Sequence, residues 1–403
     1  MQSFNSQIES EDFFQKKGVV LKPGKEKAIL HKHHWIFSGA VQSSPSFKDG
    51  EFLPVYASNS NLLGSAYFNR KSNIIGRMVA FDATPPLKAI QHALDRAIAF
   101  RKTLFNFEKT NAYRLVNGEG DGLPGLVIDI YDNVAVMQLS TKGMDGLKPW
   151  LVEYIDKAFK PLAIYEKSLL PTRREEGLVD VQGVLKGTVP EFISIKENGL
   201  SFQVNLEKGQ KTGFFLDHRE MREWIRSLAD GKRILNAFSY TGGFGVYALA
   251  GGAKHVDSVD ISEEAIDLAK KNTTLNGFSA KEQGFHTTDV FQYLRENELN
   301  YELVILDPPA FAKKQKDIIP ACRGYKDINR IAMQKMPSQS LLLTCSCSHH
   351  VDESLFQKVV FQAAFEAKRS VRIIGRHRLA QDHPINVFHP EGEYLKSLLL
   401  YID

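Results

Sequence analysis

Apolar and polar residues follow different patterns in successive parts of the chain, and these patterns predict its division. Residues 16–81 hold short apolar runs separated by Gly, Pro, Asn and Asp, which is typical of strands joined by turns. The runs are Gly18–Leu21, Phe52–Tyr56, Leu63–Phe68 and Ile74–Val79. They predict a small β-barrel domain over residues 1–81.

The next segment combines helical and strand patterns. Apolar residues recur at helical spacing from Leu87 to Phe105, and a second helix is predicted over Leu147–Phe159. Between them, the glycine-rich turn Asn117–Gly125 precedes two apolar strands, Leu126–Tyr131 and Val134–Gln138. This pattern indicates a compact α+β middle domain over residues 82–192.

From about residue 195, apolar strands alternate with amphipathic helices. The predicted strands are Arg233–Ala237, Val256–Asp260, 284–288, Leu303–Asp307 and Ser340–Thr344, and the predicted helices are 244–250, 262–275, 290–297 and 325–336. Such alternation indicates a parallel sheet with helices on both faces. The sequence therefore predicts an α/β, doubly wound, Rossmann-like domain over residues 193–403.

Composition and charge narrow the class of protein. The 403 residues are 43% hydrophobic and 24% charged, which excludes disorder as the main state. The formal net charge of +4 equals the excess of Lys and Arg over Asp and Glu in residues 1–80 alone. An N-terminal RNA-binding module, with Trp35, Phe37 and Tyr67 beside the charge, fits this distribution, and so does a solvated basic face.

The cysteines and the N-terminal residues indicate the cellular compartment in which the protein is expected. Three cysteines, Cys322, Cys345 and Cys347, lie too close together for a disulfide framework. The polar N-terminus resembles no signal peptide, and no apolar run reaches membrane-spanning length. We expect a cytoplasmic protein without a membrane partner.

Candidate binding residues follow the predicted parallel strands, because ligands of such sheets bind at the strands' carboxyl ends. The first strand leads into a glycine turn, residues 236–245, which includes Thr241, Gly242 and Gly243. Asp260, Asp289 and Asp307 close the second, third and fourth strands. A carboxylate after the second strand can bind the hydroxyls of a ribose, so these residues predict a nucleoside site.

The fourth strand runs into Asp307-Pro308-Pro309-Ala310-Phe311. The two prolines make the turn rigid, and Phe311 can stack on a planar base. At this motif the chain resembles the class I S-adenosylmethionine (SAM)-dependent methyltransferases that act on nucleic-acid bases.

Further motifs make the resemblance closer. Lys32–Gly39 resembles the signature of a PUA RNA-binding domain. Five other segments resemble the bacterial and archaeal ribosomal-RNA cytosine-C5 methyltransferases: Asn117–Gly125, Arg173–Leu178, Gly209–Asp217, Ala321–Asp327 and Thr344–Ser348. The resemblance implies SAM as cofactor and RNA, ribosomal RNA in particular, as partner. Besides the residues above, it implies cofactor contacts from Gln210, Thr212, Gly213, Phe238, Tyr240 and Pro308. Two departures are His218, where Gln or another polar residue is expected, and the doubled cysteine at 345 and 347.

A cysteine after the fifth strand suits methylation of cytosine C5. A thiolate that adds to C6 makes C5 nucleophilic, and the thiol is eliminated after the C5 proton is removed. The resemblance places this role on Cys347, with Asp307 engaging N3 of the base. Cys345 is the alternative nucleophile, and Cys322 is expected to be structural.

Several alternatives stay open. A methyltransferase acting on an exocyclic amine would use Asp307–Pro309 without a covalent step, and a non-enzymatic RNA-binding protein could keep the fold. No metal site is expected, since neither His31, His33 and His34 nor His349, His350 and Asp352 show a paired ligand spacing. A homodimer is compatible with the sequence.

Overall fold

The computed structural model describes residues 8–279 and 282–403, and the chain forms two compact units. The first unit comprises the chain up to Ile195 together with Val204–Leu216 and Gln381–Gly392. The second comprises Lys196–Gln203, Asp217–Ala380 and Glu393–Asp403. The division into three domains stays a prediction.

The N-terminal part of the first unit is a six-stranded sheet. Its strands are β1 (Val19–Leu21), β2 (Trp35–Phe37), β3 (Val41–Ser43), β4 (Phe52–Tyr56), β5 (Leu62–Phe68) and β6 (Ile74–Ala80), and helix α1 (Lys27–Leu30) follows β1. The order is β2-β6-β5-β4-β1-β3. The four predicted strands, β1, β4, β5 and β6, are confirmed, and the short strands β2 and β3 were not predicted.

A five-stranded sheet follows in the same unit. The elements are α2 (Pro86–Leu104), β7 (Ala112–Asn117), β8 (Leu126–Tyr131), β9 (Val134–Leu139), α3 (Lys142–Gly146), α4 (Lys148–Phe159), β10 (Ala163–Ser168), α5 (Pro171–Glu175) and β11 (Val181–Gly187). The order is β11-β10-β9-β8-β7, with only the β9–β10 pair parallel among these neighbours.

One hydrophobic core joins the two sheets of the first unit. Phe52, Tyr67 and Val79 from the first sheet share it with Ile90 of α2 and Ile128 of β8. Tyr67 is completely buried, and its hydroxyl donates to the Pro124 carbonyl at 2.8 Å. Tyr67, one of the three aromatic residues that lie beside the basic charge in the sequence, is therefore a core residue.

The second unit contains the predicted alternation. Its elements are α6 (Arg219–Leu228), β14 (Arg233–Ala237), α7 (Gly243–Ala250), β15 (His255–Asp260), α8 (Glu263–Leu275), β16 (Gln283–Thr287), α9 (Val290–Glu296), β17 (Leu303–Leu306), α10 (Ile318–Lys335), β18 (Ser340–Ser346), α11 (Glu353–Ala367), β19 (Val371–His377) and β20 (Lys396–Ile402). A two-stranded sheet, β12 (Ile193–Glu197) and β13 (Leu200–Val204), precedes them.

These strands form a seven-stranded sheet in the order β16-β15-β14-β17-β18-β20-β19. Strands β14 to β18 are parallel, and β20 pairs antiparallel with β18. Successive residues supply two cores: Leu235 and Val304 pack with α9, α10 and α11, whereas Ile234 and Ile305 pack with α6 and α7. Helices on both faces confirm the doubly wound α/β fold. Among the described residues, no helix combines the length and the apolar character needed to cross a membrane.

Candidate active site

The parallel strands of the second unit bring the predicted residues to one edge of the sheet. Asp260 ends β15, Asp289 lies two residues beyond β16, Asp307 follows β17, and Cys347 follows β18. Because parallel strands share a direction, their carboxyl ends lie on the same side. In sheet order, the edge carries Asp289, Asp260, the glycine turn after β14, Asp307 and Cys347.

The turn between β14 and α7 has an uncommon backbone. Phe238, Tyr240 and Gly242 have φ angles of +59°, +46° and +79°. A Cβ atom at Gly242 would lie 2.8 Å from the Cβ of Ala269. Glycine is therefore required here for conformation and for space, and α7 begins at the next residue, Gly243.

Asp260 holds this turn. Its Oδ2 accepts a hydrogen bond from the Tyr240 amide at 2.8 Å, and its Oδ1 accepts one from the Ser262 amide at 3.0 Å. A carboxylate offers about four lone-pair positions, so each oxygen can accept another hydrogen bond. Asp260 can therefore keep its structural bonds and still bind ribose hydroxyls.

Buried polar groups without partners lie in and just before the turn. The Ser239 and Thr241 hydroxyls and both amide atoms of Asn236 have no hydrogen-bond partner among the described residues. Asn236 is only 1% exposed. A buried unpaired polar atom costs about 1–3 kcal/mol, and such atoms call for an explanation such as a ligand or ordered water. These groups, with Asp260, fit a polar nucleoside cofactor such as SAM.

Aromatic rings connect the turn to the Asp307 loop. The ring centroids of Phe238 and Phe291 lie 6.3 Å apart, those of Phe291 and Phe311 lie 5.9 Å apart, and those of Phe311 and Tyr325 lie 4.6 Å apart. Phe311 is partly buried in this row. Its stacking on a substrate base stays a prediction.

Asp289 also caps a helix. It is exposed, and its Oδ1 accepts a hydrogen bond from the Gln292 amide at 2.9 Å at the start of α9. Its contact with a cofactor stays a prediction.

Asp307 is paired with a histidine, His218, that was not among the predicted site residues. His218 Nδ1 lies 3.0 Å from Asp307 Oδ2, and His218 is buried. His218 ends a short 3₁₀ helix, Leu216–His218, directly before α6. The one sequence feature that singled out His218 was that it stands where the family pattern has Gln or another polar residue.

The three thiols differ in access. Cys345 is completely buried, and burial, followed by the charges of Asp307 and Cys347, raises its pKa well above the ordinary value. Burial also raises the pKa of Cys322 on α10. Cys347 is half-buried, and its Sγ lies 3.8 Å from the Pro308 carbonyl oxygen. The Cys347 thiol therefore lies beside the Asp307–Pro309 turn.

Ser348 ties together the loops around Cys347. Its Oγ accepts a hydrogen bond from the Ala312 amide at 3.0 Å and lies 2.9 Å from the Tyr325 hydroxyl. Its carbonyl accepts a hydrogen bond from Lys396 Nζ at 2.7 Å. The turn after β18 is thus fixed to the loop after β17.

Gln210, Thr212 and Gly213 lie in the first unit. The Thr212 hydroxyl donates to Asp129 Oδ2 at 2.6 Å and lies 2.8 Å from the Tyr131 hydroxyl. The Gly213 amide donates to the Gln210 carbonyl at 2.8 Å. Their contacts with a cofactor stay predictions.

A histidine cluster in the first unit has the spacing of a candidate metal site. One ligand atom each from His33, His389 and Glu391 lies within 4.8 Å of the others. However, His33 Nδ1 accepts a hydrogen bond from the Trp35 amide, so its Nε2 carries the proton in the neutral ring. Nε2 then donates to Glu391 Oε1 at 3.2 Å, which describes a hydrogen-bonded pair better than two metal ligands.

Comparisons with known proteins agree with this geometry. The profile of the S-adenosylmethionine-dependent methyltransferases matches residues 179–382, about half of the chain, and the PUA-like domain matches residues 19–81. A candidate SAM-dependent methyltransferase from Streptococcus mutans has the same fold, with a TM-score of 0.80 at 24% identity over 95% of this chain and 99% of that one. The chain belongs to the S-adenosylmethionine-dependent methyltransferase family, and it is an enzyme that uses SAM.

Its similar relatives carry a more particular name. Ribosomal RNA large subunit methyltransferase I of Alteromonas mediterranea is 43% identical over 387 residues, which are 94% of this chain and 98% of that protein. The protein of the same name from Aliivibrio fischeri is 42% identical over 386 residues, with the same coverage.

Proposed function

We propose that this enzyme methylates C5 of a cytosine in large-subunit ribosomal RNA through a covalent adduct of Cys347 with C6 of the base. The names of the relatives and the PUA-like domain support an RNA substrate. The observation that carries the covalent mechanism is the position of the Cys347 thiol, 3.8 Å from the Pro308 carbonyl at the edge that holds Asp260 and Asp307.

The thiol is needed because C5 of cytosine is a weak nucleophile. When the Cys347 thiolate adds to C6, an Sγ–C6 bond forms and electron density moves to C5 and N3. Bound SAM supplies the electrophilic methyl group that C5 takes up. A base then removes the C5 proton, the Sγ–C6 bond breaks, and Cys347 regains its electron pair.

Asp307 is the group that we assign to N3. The two prolines that follow it fix its backbone, and the His218 Nδ1–H donates a hydrogen bond to its carboxylate. Cytosine N3 has a lone pair and no hydrogen, so Asp307 engages it through a carboxyl proton that is shared with or transferred to N3, and this favours addition of the thiolate. His218 is a positioning residue here, because it contacts Asp307 rather than the base.

Cys347 is a better candidate than Cys345 on physical grounds. Cys345 has no exposed surface, and its raised pKa disfavours the thiolate that the reaction requires. The half-buried Cys347 retains access to a base.

Part of the RNA contact is assigned to the PUA-like domain. Lys25, Trp35 and Phe37 line a cavity of about 250 Å³ there, and Phe37 is 51% exposed. An exposed phenylalanine and a half-buried tryptophan beside a lysine suit single-stranded RNA, whose bases stack and whose phosphates attract cations.

Mechanism-based trapping tests the chemistry. RNA carrying 5-fluorocytosine should form a stable adduct with the enzyme in the presence of SAM, because C5 then carries fluorine instead of a removable proton. We expect Cys347→Ala to abolish the adduct and methyl transfer, while calorimetry shows nearly unchanged affinity for SAM.

Cys345→Ala is the matched control and should still form the adduct. If the adduct forms with Cys347→Ala but not with Cys345→Ala, Cys345 is the nucleophile. Full activity of the double variant would exclude covalent catalysis and favour methylation of an exocyclic amine.

A further inference from the structure

Lys396 brings a buried positive charge next to the turn that carries Cys347. It is the first residue of β20 and pairs in register with Ser346, the last residue of β18. Lys396 is only 6% exposed. Its Nζ donates hydrogen bonds of 2.7 Å to the carbonyl oxygens of Ser348 and Tyr394.

The hydrogen bonds of Lys396 are incomplete. An ammonium group has three N–H donors, and the two carbonyls use two of them. The third has no partner among the described residues, although a buried charge is stable only when it is well paired. An anion is therefore the expected partner for the third N–H of Lys396. The hydrogen bond to the Ser348 carbonyl holds Nζ one residue away from Cys347 along the chain.

The charges near Lys396 and Cys347 act on each other's protonation. Burial lowers the pKa of Lys396 to about 8, against the raising effects of Cys347, Glu393 and Asp352. Burial, with a smaller contribution from the negative charge of Cys347, raises the pKa of Tyr325. The Tyr325 phenol is therefore neutral. Asp307 and Cys347 both raise the pKa of Cys345, so negative charge accumulates here.

Coupling between two charges is reciprocal. If a thiolate at Cys347 stabilises the ammonium of Lys396, the ammonium stabilises the thiolate by the same free energy. Asp307 contributes, after burial, to raising the pKa of Cys345, and a neutral Tyr325 supplies no cation. Of Lys396, Asp307, Cys345 and Tyr325, Lys396 is the group that is cationic at neutral pH, because its pKa of about 8 lies above 7.

We propose that Lys396 is a positioning residue that holds Cys347 in its thiolate form and fixes the turn that carries it. This rests on the proposed function of Cys347 as the nucleophile. A free cysteine is only a few per cent thiolate at neutral pH. The positive charge of Lys396 would raise that fraction at Cys347.

Alkylation of the full-length protein tests the proposal without RNA or methyl transfer. The rate of iodoacetamide reaction at each cysteine is measured against pH by peptide mass spectrometry, with fragment ions separating Cys345 from Cys347. For the wild type, we expect the Cys347 midpoint to lie below the ordinary cysteine pKa of about 8.5. A midpoint at or above that value would overturn the proposal, whatever any variant does.

The variants separate charge from structure. Lys396→Gln keeps an amide donor for the carbonyls but loses the charge, so Cys347 alkylation at pH 7 should slow about tenfold, as for a thiol pKa one unit higher. Lys396→Arg should restore the rate. Lys358→Met removes an exposed lysine of α11 and should change nothing. Cys322 in each sample is an internal reference.

A purely structural role predicts another result. Lys396→Gln would then lower the melting temperature and leave the Cys347 pH profile unchanged, which would refute the proposal. The test is independent of the 5-fluorocytosine adduct: a low Cys347 midpoint without an adduct would contradict the covalent function alone, and an adduct with an ordinary midpoint would contradict Lys396 alone.

Discussion

At the scale of single residues, the site is built from side chains that also hold its structure together. Asp260 accepts two backbone hydrogen bonds, Lys396 binds two carbonyls, and His218 contacts Asp307. Asp260 was predicted because it ends an apolar strand. His218 and Lys396 were not, because Asp307 and Ser348 lie far from them along the chain, and only the fold shows these contacts.

The first prediction at this scale concerns Asp260. Asp260→Ala removes the acceptor of the Tyr240 and Ser262 amides and of the ribose hydroxyls. Leaving buried groups unpaired costs about 1–3 kcal/mol, so SAM affinity should fall about 5- to 150-fold. Titration calorimetry measures the affinity for SAM, and a thermal melt measures the stability that is lost when the two amides of the turn lose their acceptor.

Asp267→Ala is the control, because Asp267 lies exposed on α8 in a surface pair with Lys270. Its affinity for SAM should equal that of the wild type. Unchanged SAM affinity in Asp260→Ala would remove Asp260 from the cofactor site.

At the scale of elements, the alternation of strands and helices was predictable because strands such as β17 and β18 contain continuous apolar runs between amphipathic helices. Strand β20 was missed, although Leu398, Leu399 and Leu400 are buried in it. It returns antiparallel between β18 and β19, outside the β–α alternation. Helix α10 begins at Ile318, earlier than predicted, because Pro320 is tolerated in the first turn of a helix.

The glycine turn supplies the prediction at this scale. Gly242 and Gly277 both have a φ angle of +79°, but a Cβ atom at Gly242 would meet Ala269 at 2.8 Å, whereas one at Gly277 would have nothing within 4 Å. Both Gly→Ala variants should lose about 1 kcal/mol of stability from backbone strain. Gly242→Ala should lose about 1–3 kcal/mol more from overpacking, along with much of its SAM affinity.

Urea unfolding and calorimetry measure these two effects. Equal losses of stability in the two variants would show that α8 can move away from the turn. In that case the requirement for glycine at 242 is conformational only.

At the scale of the whole molecule, the sequence showed where the excess positive charge lies along the chain but not which of those residues are at the surface. The net charge of +4 belongs to residues 1–80, but the structure separates these residues into surface and core. Lys25, Lys27 and Lys32 are exposed, whereas Phe52 and Tyr67 are buried in a core shared with α2 and β8. Deleting residues 1–80 would therefore expose that core, so RNA binding by this region is better tested with surface substitutions.

The last prediction is that RNA binding by the full-length enzyme depends on the exposed lysines of the PUA-like domain. Replacing Lys25, Lys27 and Lys32 by Gln should weaken binding to an RNA oligonucleotide, measured by fluorescence anisotropy. It should also reduce the slope of log affinity against log salt by about 0.7 for each lost phosphate contact on a single strand. Lys358→Gln and Lys368→Gln in the second unit are matched controls. If these controls reduce the slope as much as the PUA-like substitutions do, the basic excess of residues 1–80 is a solvated face, and the phosphate contacts lie elsewhere.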